Sequence, residues 1–398
     1  MKLARRLSVV EPSPTLAVSA KAAKLKAQGI DVVSFGAGEP DFDTPVHIKE
    51  AAKKALDAGA TKYTLVEGTV PLRKAVAAWL GKAHGLSIDP SEIIVSSGAK
   101  QSIFNAVHAL VDEGDEVIIP TPAWVSYNDI VKLAGGRPVN VPTTAEGNFQ
   151  VRVEDVEKAI TPRTRLILVC SPSNPTGAVY DEATLRGLAK LAVDKDVWLM
   201  TDDIYRTLLY GDATFFQPAT ISPEVRAHTI IIDGVSKAFA MTGWRVGFTM
   251  APKPVVEAMA TLQGQSTTHA AAVAQAAAQA AIEGPTDELE KMRVEFDKRR
   301  KVMVARLREI PGVKCVEPKG AFYAFPDLSA FVGRKTPEGK KIENDLALCE
   351  YLIEAAKVAV VPGSAFHAPG YVRLSYATSM KNVEEGIRRM AEALPRLT

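Results

Sequence analysis

Lys237 and Arg245 lie close together in the segment Asp233-Gly-Val-Ser-Lys-Ala-Phe-Ala-Met-Thr-Gly-Trp-Arg245. The apolar run Thr229-Ile-Ile-Ile232 before it predicts a short buried strand that brings both side chains to one rim of a sheet. A lysine in a partly dry site beside other cations has a lowered pKa and can form a Schiff base with an aldehyde. The arginine offers a planar fork suited to a phosphate. Together they suggest pyridoxal phosphate, although a solvated lysine after a strand explains Lys237 alone equally well.

Two further segments place polar side chains after predicted strands. The run Val197–Asp202 ends in a carboxylate, and Tyr205 follows three residues later. A carboxylate against the pyridine nitrogen would keep the ring of pyridoxal phosphate protonated. The predicted strand Arg165–Val169 is followed by a loop rich in Pro that presents the Asn174 amide. Each of these segments alone could be an ordinary turn. Because all of them lie at the ends of predicted strands, they favour one shared site.

Several segments, spread over nearly the whole chain, identify a family. They are Gly36–Pro45, Thr61–Tyr63, Gly98–Gln101, Trp124–Tyr127, Ser173–Gly177, Ser236–Gly247 and Val372–Thr378. In these segments and in their order the chain resembles the class I aminotransferases of pyridoxal-phosphate fold type I. Within that family it is most similar to the bacterial aspartate aminotransferase branch.

The pattern of apolar runs predicts an α/β fold. Strands are predicted where short apolar runs end in turn residues: 92–96, 116–120, 165–169, 197–202, 229–232 and 245–250. Helical patterns between them favour a mostly parallel sheet covered on both faces. The resemblance implies seven strands in this sheet and a smaller α+β domain. We expect an N-terminal segment (1–48) that joins the small domain, a large cofactor-binding domain (49–290) and a small domain (291–398). After the long helix 287–308 we expect two short strands and a terminal helix, 381–394.

The resemblance implies roles around the cofactor ring. Lys237 would hold the cofactor covalently and later move the substrate's Cα proton. Asp202 would pair with the pyridinium, and Tyr205 and Asn174 would bond the ring hydroxyl. Trp124 would stack on the ring, although without the resemblance it is a core tryptophan.

The resemblance and the helix-start position of Gly98-Ala99-Lys100 imply a phosphate site. Backbone N–H groups at Ala99 and Lys100, together with Arg245 and Ser236, would hold the anion. Family members bring a tyrosine from the neighbouring subunit to this phosphate, and Tyr63 matches it, which implies a homodimer with shared active sites. Gly234 occupies a place where many relatives carry a serine, so one phosphate hydrogen bond is in doubt.

The resemblance also assigns substrate contacts to a group of residues: Gly38, Lys100, Trp124, Asn174, Arg373, Ser13 and Thr15. Arg373 would bind the α-carboxylate with its two guanidinium nitrogens. Lys100 would face the side chain of an acidic substrate, because a lysine in a dry site is costly unless it meets an anion.

These assignments predict an aspartate aminotransferase that passes the amino group to 2-oxoglutarate in a ping-pong reaction, giving oxaloacetate and L-glutamate. The alternatives are a glutamate/aspartate-prephenate or aromatic amino acid aminotransferase and, in another reaction class, a pyridoxal-phosphate-dependent lyase. Dual prephenate enzymes tend to carry an additional arginine near the N-terminus, where this chain has Val9, although Arg5 or Arg6 could reach in. A nucleotide-binding dehydrogenase lacks its G-x-G-x-x-G signature here. A regulator would need a DNA-binding domain, and we expect none before Glu11 or after Thr398.

Composition limits the function classes. The 398 residues carry a net charge of +2, 47% hydrophobic and 24% charged residues. This balance is that of a globular protein without a basic face for nucleic acid. The apolar stretch Ala270–Ile282 is too short to span a bilayer. Cys170, Cys315 and Cys349 have no metal-ligand spacing and predict buried, reduced thiols. We therefore expect a cytoplasmic enzyme with no membrane, nucleic-acid or metal site.

Overall fold

The computed structural model describes residues 4–10, 12 and 14–398. Strands in the described part are β1 (Val33–Ser34), β2 (Ile93–Ser96), β3 (Glu116–Thr121), β4 (Arg137–Pro142), β5 (Thr164–Cys170), β6 (Trp198–Asp202), β7 (Thr229–Gly234), β8 (Gly247–Met250), β9 (Tyr323–Ala324), β10 (Val358–Ala359), β11 (Val361–Pro362) and β12 (Val372–Ser375). Helices are α1 (Pro14–Ala27), α2 (Val46–Asp57), α3 (Val70–His84), α4 (Ala99–Leu110), α5 (Ser126–Leu133), α6 (Val153–Ala159), α7 (Glu182–Asp194), α8 (Pro223–Ala227), α9 (Lys253–Gly264), α10 (Ala272–Glu283), α11 (Asp287–Arg308), α12 (Asp345–Tyr351) and α13 (Met380–Ala393).

The central sheet has seven strands in the order β2-β8-β7-β6-β5-β3-β4. The pairs from β4 to β7 are parallel, whereas β8 is antiparallel to both β7 and β2. This confirms the predicted mostly parallel sheet. The strand that the residue pattern alone did not locate is β4, at the edge. Its two prolines cannot donate to a ladder, which suits an edge position and hides the strand from pattern analysis.

The sheet is covered on both faces. Along β7, Ile230 and Ile232 pack into one apolar cluster and Ile231 into another, and all three are 0% exposed. Successive side chains of a strand point to opposite faces, so two separate clusters mean two covered faces. The apolar run of β7 is therefore the product of burial on both sides.

The strand register brings the chemically active segments to one rim. Cys170 at the end of β5 pairs with Asp202 at the end of β6, and Asp202 pairs with Ile232 of β7. Because parallel strands share one direction, the loops that leave them start at the same height. The antiparallel β8 enters the sheet at this rim, where Gly247 pairs with Gly234.

The C-terminal part contains more strands than the two that were predicted. β11, β12 and β9 form an antiparallel sheet, and β1 pairs in parallel with β10. Strands of two residues are too short to show an alternating pattern, which is why they were missed. The β1–β10 pairing ties the N-terminal segment to the C-terminal part. The division into domains at residues 48 and 290 stays a prediction.

Candidate active site

A cavity of about 290 Å³ opens at the carboxyl rim of the central sheet. Most of the predicted site residues line it: Gly38, Ala99, Lys100, Trp124, Asn174, Asp202, Tyr205, Ser236, Lys237, Arg245 and Arg373. These residues come from widely separated segments of the chain. The fold therefore brings the predicted constellation together in one place.

Lys237 lies three residues after the end of β7. Its Nζ donates a hydrogen bond of 2.6 Å to the Gly38 carbonyl and lies 5.9 Å from the centre of the Phe322 ring. Burial lowers the pKa of Lys237 to about 8, while nearby Glu39 acts in the opposite direction. The site therefore keeps part of this lysine as the neutral amine that a covalent nucleophile needs.

Asp202 is the last residue of β6 and is 4% exposed. The Tyr127 hydroxyl donates to its Oδ2 at 2.6 Å, and the Ile204 backbone N–H donates to Oδ1 at 3.3 Å. Burial raises the pKa of Asp202 to about 6, and the bond from Tyr127 opposes that rise. A carboxylate in such a dry place gains from a cationic partner such as a protonated pyridine.

Arg373 is fully inside the protein, on β12. Its Nη1 donates to Asn174 Oδ1 at 3.1 Å and its Nη2 to the Gly36 carbonyl at 2.8 Å. In the described part of the chain its Nε has no hydrogen-bond partner. Burial lowers the pKa of Arg373. A buried guanidinium bonded to neutral oxygens is a site for a carboxylate, which offers it charge and two oxygens.

Arg245 lies before β8, and the strand begins at Gly247 instead of the predicted 245. The backbone of Arg245 is left-handed (φ 55°), which turns its side chain back to the rim. Its Nη1 donates to the Thr242 carbonyl at 3.0 Å and its Nη2 to the Ser97 carbonyl at 3.3 Å. Gly98 makes room for the guanidinium, because a Cβ there would lie 2.4 Å from Nη2.

The first turn of α4 lies beside the Arg245 guanidinium and forms this side of the cavity. A Cβ on Gly247 would lie 2.2 Å from the backbone nitrogen of Ala99, so only a glycine lets the strand approach the helix start. The free N–H groups of a helix start and the adjacent Arg245 form a cradle for an anion. This geometry fits the phosphate of pyridoxal phosphate.

Lys100 follows in the same helical turn. Its Nζ lies 4.8 Å from the centre of the Trp124 ring. Burial lowers the pKa of Lys100, Arg245 lowers it further and Asp129 acts in the opposite direction. The amine therefore faces the cavity beside an aromatic plane, with a second cation close by.

Sequence reasoning missed several cavity residues, among them Tyr127, Cys170 and Tyr323. The Tyr323 hydroxyl lies 2.8 Å from that of Tyr205. Tyr323 belongs to the apolar run 321–325, which is typical of core, and no local signal marked its hydroxyl. Tyr127 stood in a segment that carried the resemblance but received no role. The thiols of Cys170, Cys315 and Cys349 are buried and free, as predicted.

Some predicted site residues lie elsewhere. The Tyr63 side chain does not line the cavity and the residue is 89% exposed, with its ring edge against His269. Ser13 lies outside the described residues. Thr15 lies in α1, but its side chain is outside the description.

The departure at Gly234 has a packing reason. A Cβ at this position would lie 3.0 Å from the Val246 carbonyl oxygen and 3.2 Å from Ile204 Cδ1. A serine would require these neighbours to move by a few tenths of an ångström. The glycine therefore permits the close approach of β7 and β8.

The described residues, 4–10, 12 and 14–398, contain no group of His, Cys, Asp and Glu side chains able to hold a metal ion. None of the helices formed by these residues is long and apolar enough to cross a membrane.

Comparison with known proteins agrees with this geometry. Residues 30–390 match the model of the family "Aminotransferase class I and II". The chain is 47% identical over 396 residues to an aspartate/prephenate aminotransferase of Nitrosomonas europaea, covering 99% of this chain and 100% of that protein. The crystal structure of the aspartate aminotransferase from Rhizobium meliloti superposes with a TM-score of 0.96 at 44% identity, over 100% of both chains. That of the Thermus thermophilus aspartate aminotransferase with maleate gives 0.92 at 44% identity, over 99% of this chain and 100% of that one. The chain belongs to the class I and II aminotransferases, which are enzymes that depend on pyridoxal phosphate.

Proposed function

We propose that the protein transfers the amino group of L-aspartate to 2-oxoglutarate, giving oxaloacetate and L-glutamate. The observation that carries this proposal is the set of cations in the cavity: Lys100, Lys237, Arg245 and Arg373. In the described structure, none of the four forms an ion pair with a carboxylate. Lys237, Arg245 and Arg373 donate to neutral oxygens, and Lys100 lies over an aromatic ring. Arg373 is buried and Lys237 is half-buried, whereas the other two cations are exposed at the cavity. Four cations that face one cavity without a carboxylate partner favour an anionic ligand.

The cations divide between cofactor and substrate. Arg245 lies at the anion cradle before α4 and is assigned to the cofactor phosphate. Arg373 lies beside Gly36 and Asn174 and is assigned to the α-carboxylate. Lys100 then remains for a second carboxylate, which distinguishes aspartate and glutamate from neutral amino acids. The names of the relatives, and maleate in the Thermus thermophilus structure, agree with a dicarboxylic substrate.

When bound, pyridoxal phosphate supplies an aldehyde that takes up the amino group and a ring that withdraws electrons. Lys237 Nζ holds the cofactor and then takes the proton from the substrate's Cα as a general base. The Asp202 carboxylate would keep the pyridine nitrogen protonated. Tyr205 and Asn174 would bond the ring hydroxyl, and Trp124 would stack on the ring.

The phosphate is held by the N–H groups at Ala99 and Lys100, by Ser236 and by the fork of Arg245. We also propose that Tyr63 completes this set from a second subunit, so that the active unit is a homodimer. A tyrosine that is 89% exposed in one chain, yet assigned to a phosphate site, needs a neighbouring chain to reach one.

Amino transfer is tested by mixing the cofactor-loaded protein with L-aspartate and 2-oxoglutarate and following oxaloacetate. No oxaloacetate from a loaded protein would refute the proposal. Prephenate replaces 2-oxoglutarate in a parallel assay, because the Nitrosomonas europaea relative is named for both aspartate and prephenate.

Lys100→Ala should separate acidic from neutral substrates. We expect kcat/KM for aspartate to fall by about 10- to 100-fold, the value of one charge-assisted bond, and that for phenylalanine by less than about threefold. Lys298→Ala is the matched control, since Lys298 is exposed on α11 and outside the cavity. Equal losses for both substrates would contradict the assignment of Lys100.

A further inference from the structure

The hydroxyls of Tyr205 and Tyr323 lie 2.8 Å apart in the wall of the cavity. Tyr205 follows β6 of the central sheet, whereas Tyr323 begins β9 in a different sheet. Tyr205 is assigned to the cofactor's ring hydroxyl, but Tyr323 has no role in the function proposed above. The contact therefore joins a cofactor residue to one whose purpose is open.

The pair retains one hydrogen for a ligand. Burial raises the pKa of both phenols, so both are neutral and each carries one hydrogen. The single contact between the two oxygens uses one of these hydrogens. Among the residues that the structure describes, neither hydroxyl has another hydrogen-bond partner. One O–H remains free to donate into the cavity.

The surroundings of Tyr323 decide which phenol donates to the other. The Arg373 guanidinium lies 4.6 Å from the centre of the Tyr323 ring. A cation at this distance stabilises negative charge on the Tyr323 oxygen and makes that phenol the stronger acid. Arg373 also lowers the pKa of Tyr205, but there it is the smallest of the causes. The stronger acid is the better donor, which favours Tyr323 as the donor and Tyr205 as the acceptor. The free hydrogen is then that of Tyr205.

We propose that Tyr323 is a positioning residue that donates to the Tyr205 oxygen and so directs the Tyr205 hydrogen to the ring oxygen of pyridoxal phosphate. The inference rests on the proposed cofactor role of Tyr205. A hydroxyl that accepts a hydrogen bond becomes a stronger donor itself, because bonds in a chain polarise one another. Tyr323 thus strengthens the bond that Tyr205 makes.

Other charged or titratable groups face the pair, and a Tyr323→Phe substitution leaves them in place. Arg373 lies beside Tyr323, and the neutral Cys170 thiol lies near both phenols. Asp202 and Lys237 lie in the same cavity wall. Because phenylalanine keeps the ring under Arg373, the substitution removes one hydroxyl and little else.

The test is a pH titration of the absorbance of the bound cofactor in wild-type and Tyr323→Phe protein. Donation to the ring oxygen favours its negatively charged form and keeps the midpoint low. We expect the midpoint of Tyr323→Phe to rise by roughly 0.3–0.7 pH unit, the size of one weakened neutral hydrogen bond. The affinity for maleate should stay within about twofold, because the stacked guanidinium is retained.

A double variant tests whether Tyr323 acts through the Tyr205 hydroxyl, and Tyr205→Phe is the protein into which the second substitution is introduced. Adding Tyr323→Phe to it should not move the midpoint further, because the hydroxyl acts through Tyr205. An equal shift in that background, an unchanged midpoint in the single variant, or a loss of maleate affinity without a midpoint shift would each overturn the inference. A wild-type protein that binds no pyridoxal phosphate would overturn it together with the proposed function.

Discussion

Lys237 owes its chemistry to its surroundings. Its amine is enclosed by the Gly38 carbonyl, the Phe322 ring and the cavity wall, so that charging it costs solvation. With a pKa of about 8, about one amine in ten is neutral at pH 7, against about one in three thousand at 10.5. The nearby cation Arg245 acts in the same direction as burial.

This lowered pKa predicts how the cofactor-free protein reacts with a small aldehyde. Reductive methylation of Lys237 should rise with pH, with half of its maximal rate near pH 8, because only the neutral amine reacts. Lys53 is the internal control, since its ion pair with Glu50 raises its pKa above 10.5. Peptide mass spectrometry after brief labelling measures both residues. Parallel pH profiles for the two lysines would contradict the assigned environment of Lys237.

The sequence predicted the site residues best where a polar side chain stands at the end of an apolar strand. Lys237, Asp202 and Asn174 follow apolar strands, and that position makes a polar residue conspicuous. Tyr323 gave no such signal, because an aromatic residue in an apolar run has the pattern of core. Its hydroxyl reaches Tyr205 because the backbone N–H of Ala321 bonds to the Leu208 carbonyl at 2.9 Å, a contact between distant parts of the chain.

At the scale of elements, the anion cradle depends on close approach between β8 and the start of α4. Because Gly98 has no side chain, the Arg245 guanidinium can lie against it. Because Gly247 has none, the Ala99 nitrogen can approach the strand. The sequence showed a glycine before a helix, but the arginine that fills the space lies in the segment before β8, almost 150 residues later.

Gly98→Ala should therefore weaken cofactor binding. Its Cβ would lie 2.4 Å from Arg245 Nη2 and its φ of 90° is unfavourable for alanine, so the guanidinium must move. We expect the dissociation constant for pyridoxal phosphate to rise about 10- to 100-fold, the loss of one charge-assisted bond. Gly114→Ala is the matched control, because Gly114 has a φ of 86° and no atom within 4 Å. An equal rise in both variants would show that backbone strain alone is responsible.

Helices and strands could be predicted from the sequence where the apolar pattern was long and the residues were uniformly buried. β5, β6 and β7 appear within about two residues of their predicted bounds, and α11 has the bounds predicted for the long helix 287–308. The edge strand β4, which contains two prolines, and the two-residue strands β9, β10 and β11 were not located, because none of them forms an apolar run long enough to be recognised. The sequence pattern does not predict a strand whose conformation is determined mainly by tertiary contacts.

The molecule carries several large exposed apolar side chains in addition to Tyr63. Large exposed apolar residues lie on α2, α3, α4 and α9 and in the segment after α2: Val46, Leu56, Leu65, Val70, Phe104 and Leu262. α2 and α3 both pack against α10, which places them on one side of the large sheet. Large apolar side chains that contact water favour burial against a second copy of the chain. This is the support, beyond Tyr63 itself, for the proposed homodimer.

A hybrid dimer tests whether Tyr63 serves the partner's site. One chain carries Lys237→Ala and the other Tyr63→Phe, with different tags for purification of the mixed dimer. If Tyr63 crosses the interface, one site of the hybrid contains an intact Lys237 and an intact Tyr63, and it should bind pyridoxal phosphate with wild-type affinity. The Tyr63→Phe homodimer should bind about tenfold more weakly, the value of one hydrogen bond to a charged phosphate. A hybrid with the weak affinity of that homodimer would mean that each Tyr63 serves its own chain, because then no site would hold both intact residues.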